Sequence, residues 1–374
     1  MKIILISPYI IPRRSKFYTH VSKNINNSDN EIKFLLIKSK AKHRSFKPQL
    51  DSYGINYLIL NSLQFYFKNI ELAIDIPLNL FKELRKEKPQ IIITEGFGFA
   101  YIPAIIYSLF FKSSLVFWNK SSSQSNASNS KIKIFIKKIL ISPYNKFIAG
   151  GKPQLKYLSN LGISDVMLYD DVPDLEPFLF NNIETSSNND ILKILFVGEL
   201  IPRKNLIFLL NALNDSDFVK YNLTVVGDGP EMNSCITYAK ENQLNVVFEG
   251  FKSPNEIQEF YNNSDCLIVP SLREAWGLVV EEGMASGLAC IVSDVVGSKT
   301  RTIGYSNGFI YKSNNINSLR EKVLNVSKNI TNFRKMRKEN SSKFQKSFNV
   351  KNSALSFSKL INKTSEKNNS YFNK

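Results

Sequence analysis

Two acids and two cations stand out in the second half of this 374-residue chain. Glu274 and Glu282 have seven residues between them, within residues 271–287, SLREAWGLVVEEGMASG. On one continuous helix their offset would be about 800°, leaving them about 80° apart. They converge on one ligand if Glu274 precedes a helix and Glu282 lies within it. Gly277 then marks the turn, and the amides of residues 275–278 face an anion. Arg203 and Lys204 follow an apolar run, residues 194–197. Two cations at the start of a helix form a diphosphate site, because the dipole and the free amides add to their charge. The pattern therefore predicts a ligand with phosphates in its middle and hydroxyl-bearing groups at both ends. Each element alone has a plainer reading: a solvated basic turn, a strand-to-helix turn at Gly227-Asp228-Gly229-Pro230, and an acidic helix whose surface residue is Glu281.

Such a site needs elements that bring distant residues together. Strand-length apolar runs occur at residues 3–7, 32–37, 91–94, 115–118 and 147–149, with helix-like segments at 77–86 and 132–140. Residues 96–111 read as a strand end plus a core helix, or alternatively as a helix dipping into a membrane face, and are too short to span a bilayer of about 30 Å. The pattern restarts with strands at 194–197, 223–226, 246–249, 266–269 and 289–292. Helices are expected near 205–213, 231–241, 255–262, 280–286 and 318–328. Short apolar strands alternating with helices indicate parallel sheets covered on both faces. The expected fold class is α/β. The division is an N-terminal domain over 1–175, a linker over 176–190, a second domain over 191–350, and a C-terminal helix over 351–374 that returns to the first domain and frays at its end. In open parallel sheets, ligands bind beyond the carboxyl ends of the strands. Arg203, Lys204, the glycine turn and Glu274 all follow such ends.

Several runs now occur in order: residues 196–200 (FVGEL) with Arg203-Lys204, 225–230 (VVGDGP), 248–251 (FEGF), 270–287 and Asn307-Gly308. Together they resemble the retaining glycosyltransferases with two facing Rossmann-like domains (GT-B), in the group 1, family-four-like set that includes bacterial lipopolysaccharide and capsule sugar transferases. The resemblance implies a donor site in the cleft. Glu274 would contact donor-sugar hydroxyls, and Glu282 would hold the nucleotide ribose. Arg203 and Lys204 would neutralise the leaving diphosphate, and residues 250–252 would flank the base. Donor binding would fall to Gly198, Gly227, Gly250, Phe251, Ala275, Trp276, Gly277, Leu278 and Glu282. The resemblance implies a hexosyltransferase that needs no metal, because protein cations replace it. No cofactor is expected, the nucleotide sugar being a co-substrate. Retention would proceed by same-face attack, with the leaving phosphate accepting the proton. The family often has an arginine two positions before Ile201. Here it is Glu199, which makes Arg203 the substitute. Asp215 and Asp217 resemble the metal-binding pair of another transferase class, but they fall at the amino end of the sheet and read as a solvated turn.

The first half matches the resemblance less well and would supply the acceptor pocket. Residues 7–14, SPYIIPRR, lack the family's glycine pair, although Arg13 or Arg14 could meet an anionic acceptor. Glu95 and Asn119 follow strands and are candidate acceptor contacts. His20 and His43 follow no matching strand. Residues 120–130 read either as a flexible connection or as a loop that orders on binding.

The formal net charge is +17. Residues 1–150 hold 23 Lys/Arg against 8 Asp/Glu, while residues 151–374 hold 26 against 24. A one-sided basic field attracts phosphates on lipid or nucleic acid. The three cysteines form no C-x-x-C pair, which favours buried thiols in a reducing cytoplasm. No segment reads as a secretory signal. The expected partners are a UDP- or GDP-sugar and a saccharide or lipid-linked acceptor in surface-polysaccharide or lipopolysaccharide synthesis. A further expected partner is an anionic membrane surface, with the protein cytoplasmic or peripheral on the inner face. Two alternatives stay open: a nucleotide-sugar epimerase of the same fold, and a basic nucleic-acid-binding protein. The latter lacks an aromatic-glycine RNA motif and a reading helix. A non-catalytic relative would also fit the weak first half.

Overall fold

The computed structural model describes residues 1–27, 30–38, 50–67, 72–122, 131–180, 190–214 and 219–372. Two compact units divide it: Met1–Asp174 with Asn349–Lys374, and Leu175–Phe348.

In the first unit the strands are β1 (Lys2–Ser7), β2 (Glu31–Leu36), β3 (Tyr57–Ile59), β4 (Ser62–Phe67), β5 (Leu72–Pro77), β6 (Ile91–Glu95), β7 (Ser114–Asn119), β8 (Lys146–Ala149) and β9 (Met167–Leu168). Seven of them form a parallel sheet in the order β3-β2-β1-β6-β7-β8-β9, and β4 pairs with β5 as an antiparallel hairpin. Continuous apolar runs such as Ile3–Ile6 and Ile91–Ile93 are buried throughout, as a sheet covered on both faces requires. Helices α1 (Ser15–Asn26), α2 (Leu80–Glu87), α3 (Ile102–Phe111), α4 (Lys131–Ile141) and α5 (Lys152–Asn160) connect the strands. One sheet face packs against Phe17, Tyr18 and Val21 of α1. The opposite face packs against α2 to α5, through Leu84, Tyr107, Ile141 and Leu158.

The second unit contains β10 (Leu192–Val197), β11 (Tyr221–Val226), β12 (Val246–Gly250), β13 (Cys266–Val269), β14 (Ala289–Ser293) and β15 (Gly308–Tyr311). All neighbours are parallel, in the order β12-β11-β10-β13-β14-β15. The order reverses between β10 and β13, so the loops after these two strands diverge and leave a crevice. Its helices are α6 (Leu206–Leu213), α7 (Met232–Glu241), α8 (Ile257–Asn262), α9 (Leu278–Ala285), α10 (Ile316–Lys328) and α11 (Ile330–Ser347). Leu209, Cys235 and Val323 pack with Ile194, Ile268 and Ile291 on one face. On the other face α9 lies so close that a Cβ on Gly283 would sit 2.6 Å from Leu267 Cδ2. Helix α11 is pinned by Arg337, which donates to the carbonyls of Tyr261, Asn262, Ser264 and Ser286, near the ends of α8 and α9. Burial pushes this guanidinium down to about 10. The last helix, α12 (Val350–Phe372), belongs to the first unit, where Ala354, Phe357 and Ile361 join the α1 side of the core.

Some expectations need correction. The segment over 77–86 is split: Pro77 ends β5, and α2 begins only at Leu80. The linker expected over 176–190 begins as a 3-10 turn, Glu176–Phe178, that belongs to the second unit. Phe178 is buried there on the Tyr261 ring at 5.1 Å. Residues 181–189 lie outside the described residues, as do Asp215, Asp217, His43 and the loop from 123 to 130.

Candidate active site

The site grows from the switch point of the second sheet. Strand β10 ends at Val197, and the chain turns through Gly198 into a 3-10 turn, Pro202–Lys204. The expected helix start is displaced: Asn205 takes a left-handed conformation and α6 begins only at Leu206. Arg203 and Lys204 therefore precede the helix, on a rigid turn of their own. Asn205 ties that turn to the neighbouring loop, donating to the Pro270 carbonyl at 3.4 Å, and the Leu272 amide donates to Arg203 O at 2.8 Å.

Beyond β13, Glu274 forms an isolated parallel bridge with Val296, and the Gly297 amide donates to its carbonyl at 3.1 Å. A Cβ on Gly297 would lie 2.1 Å from Ala275 O, so only glycine lets the two loops touch. Gly277, at φ 94°, caps α9, and Ser298 Oγ donates to its carbonyl at 2.8 Å. The first amides of α9 have no partner within the helix, as at every helix start. This geometry presents the Glu274 carboxylate to both cations. Arg203 Nη1 lies 3.1 Å from Oε2, and Lys204 Nζ binds the same oxygen. Glu274 thus meets Arg203 and Lys204 directly instead of standing across a ligand from them.

The predicted glycines are brought together. The Gly198 amide donates to Val226 O and the Gly227 amide to Gly250 O. A Cβ on Gly227 would fall 1.8 Å from Gly198 O, so this close backbone approach also demands glycine. Phe251, at the end of β12, is 60% exposed, which leaves an aromatic face at the edge of the site. Leu278 opens α9. Trp276 is partly committed to the protein, its indole N–H donating to Glu281 Oε2 at 2.9 Å.

The two adjacent glutamates of α9 reverse one expectation. Glu281 is no surface residue: it is fully buried, with Arg301 Nε 3.0 Å from Oε1. The Arg301 guanidinium in turn stacks over Phe348 at 4.1 Å and Trp276 at 5.2 Å. Glu282 is also buried, at 1% exposure, and accepts a 2.6 Å hydrogen bond from the Tyr261 hydroxyl. Sequence reasoning missed both Arg301 and Tyr261. A charged residue in the turn after β14 was a signal for the first, while nothing in the pattern marked the second.

The first unit carries its own polar cluster, at the switch between β1 and β6. Glu95 Oε2 accepts from Ser7 Oγ at 2.7 Å and from the Tyr18 hydroxyl at 2.9 Å, while Lys120 Nζ lies 2.7 Å from Oε1. Burial, reinforced by the Glu95 charge, raises the Tyr18 hydroxyl well above the ordinary tyrosine range. Burial pulls the Lys120 ammonium down, and Glu95 opposes that shift. Of the other acceptor candidates, Arg13 is partly exposed on the turn after β1. Arg14 is buried and ion-paired to Asp171. Asn119 is fully buried and bonded to Ser121 and Gln154, so in this structure it anchors loops instead of facing a substrate.

Residues 180–344, nearly all of the second unit, match the family model of glycosyl transferases group 1. That stretch is similar to the group 1 glycosyl transferases. The chain is 32% identical over 173 residues to an uncharacterized glycosyltransferase of Methanocaldococcus jannaschii, covering 46% of this chain and 48% of that protein. It is also 32% identical over 158 residues to the Escherichia coli UDP-Gal:alpha-D-GlcNAc-diphosphoundecaprenol alpha-1,3-galactosyltransferase, covering 36% of this chain and 39% of that protein. The match thus spans about half or less of these relatives. The crystal structure of Anabaena HepE in complex with UDP superposes with a TM-score of 0.74 at 15% identity, over 97% of this chain and all of that one. That likeness shows the fold, two Rossmann-like domains of the GT-B type. Among the described residues no helix is long and apolar enough to cross a membrane.

Proposed function

We propose that this glycosyl transferase moves a hexosyl group from a UDP- or GDP-sugar to a saccharide or lipid-linked acceptor, with retention of anomeric configuration, in the synthesis of a cell-surface polysaccharide or lipopolysaccharide. The observation that carries the reading is the convergence of Arg203 and Lys204 on Glu274 at the crevice between β10 and β13. In the free protein the carboxylate neutralises both cations. A donor diphosphate brings two negative charges to the same cations and frees Glu274 to accept hydrogen bonds from the donor sugar. The cations then stabilise the charge that grows on the diphosphate as the bond breaks, in the role a divalent metal plays in other phosphate chemistry. The sugar C1–phosphate oxygen bond breaks while the acceptor oxygen bonds C1 on the same face. The acceptor's hydroxyl proton passes to the departing phosphate oxygen, so no protein base is required.

Under this reading Glu282 holds the ribose, aligned by Tyr261, and the exposed Phe251 ring flanks the base. The acceptor binds at the first unit's own strand ends, around Glu95 and Arg13. Support for a lipid-linked acceptor comes from the diphosphoundecaprenol named for the Escherichia coli relative. The test is a panel of nucleotide sugars offered in the presence of chelator, with the product anomer assigned by NMR. A retained anomer from a UDP- or GDP-sugar is expected, with turnover about 10²–10³-fold lower in Lys204→Met, in keeping with the loss of one charge-stabilising group. An inverted product, or conversion of the donor alone without an acceptor, would overturn the reading.

A further inference from the structure

Behind the loop that the proposed reading gives to the donor phosphates lies a buried ion pair, Arg301 with Glu281. Glu281 stands in the first turn of α9, and both of its oxygens are engaged. Oε1 faces Arg301 Nε at 3.0 Å, and Oε2 accepts the Trp276 indole N–H at 2.9 Å. The guanidinium lies over the Trp276 ring at 5.2 Å and over the Phe348 ring at 4.1 Å. Arg301 closes the 3-10 turn Gly297–Arg301, and the other end of that turn braces the same loop. There the Gly297 amide donates to Glu274 O at 3.1 Å, and the Ser298 amide donates to Trp276 O at 2.8 Å. Trp276 is therefore held twice, by its backbone carbonyl and by its indole.

Stability alone does not account for such a pair. Taking both charges out of water offsets most of their attraction, and a well-packed apolar pair of similar volume is often as stable or more so. What an apolar pair lacks is direction. A carboxylate with each oxygen committed to a different donor fixes where the indole points, and the guanidinium stacked over two rings fixes the carboxylate. Charge gives a second reason. A carboxylate in the first turn of α9 lies near the free amides that would meet a phosphate, and left uncompensated it would repel that phosphate. Arg301 cancels its charge. Building on the donor-site reading, we propose that Arg301 is a positioning residue for nucleoside-diphosphate binding. Through Glu281 it holds Trp276 and the loop over residues 274–277 in place, and it masks the carboxylate behind them.

The test is calorimetry of the full chain with UDP and GDP, read beside urea unfolding and tryptophan emission. The chain has two tryptophans, and Trp118 is fully buried in β7, so a change of emission caused at the loop reports Trp276. Arg301→Met with Glu281→Leu should unfold close to the parent yet bind nucleotide about tenfold more weakly. Its emission should shift to the red as the indole N–H turns to water. Arg301→Lys keeps the charge that masks Glu281 and should bind within about threefold of the parent. Trp276→Phe keeps a ring and removes the N–H donor at a partly exposed position, so it folds even if the double variant does not. It should weaken binding about threefold or more. A parent chain that binds neither nucleotide overturns the donor-site reading and the role of Arg301 with it. A parent that binds, beside a folded double variant or Trp276→Phe that binds equally well, overturns the role of Arg301 alone. So does a double variant whose affinity falls while its emission stays unmoved, because the loss would not then run through Trp276.

Discussion

Arg301 and Glu281 form a buried charge pair, with the Trp276 indole N–H donating to the same carboxylate. Glu281 is fully buried, and Arg301 is 5% exposed. Removing one partner of a buried pair leaves the other uncompensated, which costs about 3–5 kcal/mol. Arg301→Met is therefore expected to lower unfolding free energy by that amount in urea titration. The double variant Arg301→Met with Glu281→Leu should recover most of it, because two apolar groups need no partner. A single variant as stable as the parent would show that the indole of Trp276 alone satisfies the carboxylate. At the proposed donor site the same logic favours function over stability. Glu274 neutralises two cations that a diphosphate would otherwise hold, so Glu274→Gln is expected to bind free nucleoside diphosphate at least as well as the parent. Its sugar transfer should fall by about 10²-fold or more. Calorimetry with UDP and GDP, set beside turnover, separates the two effects.

At the scale of elements, two loops after β13 and β14 are laced together, and Gly297 is the point of closest approach. A side chain there meets the Ala275 carbonyl, which is backbone and cannot turn aside. Gly297→Ala must spread the loops and shift Glu274 with the start of α9. Nucleotide affinity is expected to fall about tenfold or more by calorimetry, with melting lowered by a few degrees at most, because the core strands are untouched. Unaltered affinity would show that the loop pair does not position the donor. The strands inside the two sheets were legible from sequence because cover on both faces makes each an unbroken apolar run, whereas the short edge strands β3, β9 and β15 and the antiparallel pair β4 and β5 went unread. Helix α9 was legible as a helix, but not in its surroundings. It is buried all round, so no polar face marks which glutamate is outermost, and the partner that settles the question comes from a turn about 20 residues on.

The molecule divides its charge as it divides its fold. The basic excess lies in the first unit, and one of its few well-held acids, Glu87 at the end of α2, bridges Lys33 at 2.6 Å and Lys2 at 3.5 Å. The Lys33 hydrogen bond holds this carboxyl below its ordinary range. A depressed carboxyl stabilises the fold above the unfolded value, and that contribution is lost as pH falls through the folded one. Glu87→Gln should therefore cost about 0.5–1 kcal/mol at neutral pH. The gap between the melting curves should close as pH drops below the ordinary carboxylate range. A gap independent of pH would mean that packing, not charge, is what the substitution removes.

What the sequence determined by itself was local: apolar runs of strand length, the glycines where backbone must approach backbone, and the cations and acids that follow strand ends. These are legible because backbone sterics and burial on both faces act over a few residues. Tertiary structure alone decided the rest. It closed Glu274 onto Arg203 and Lys204, about 70 residues away, paired Glu281 with Arg301, and seated α12 against α1 of the first unit. It also chose which side of α3 the sheet would cover. An all-apolar helix carries no mark of its inner face, and only the sheet it lies on leaves the other side open.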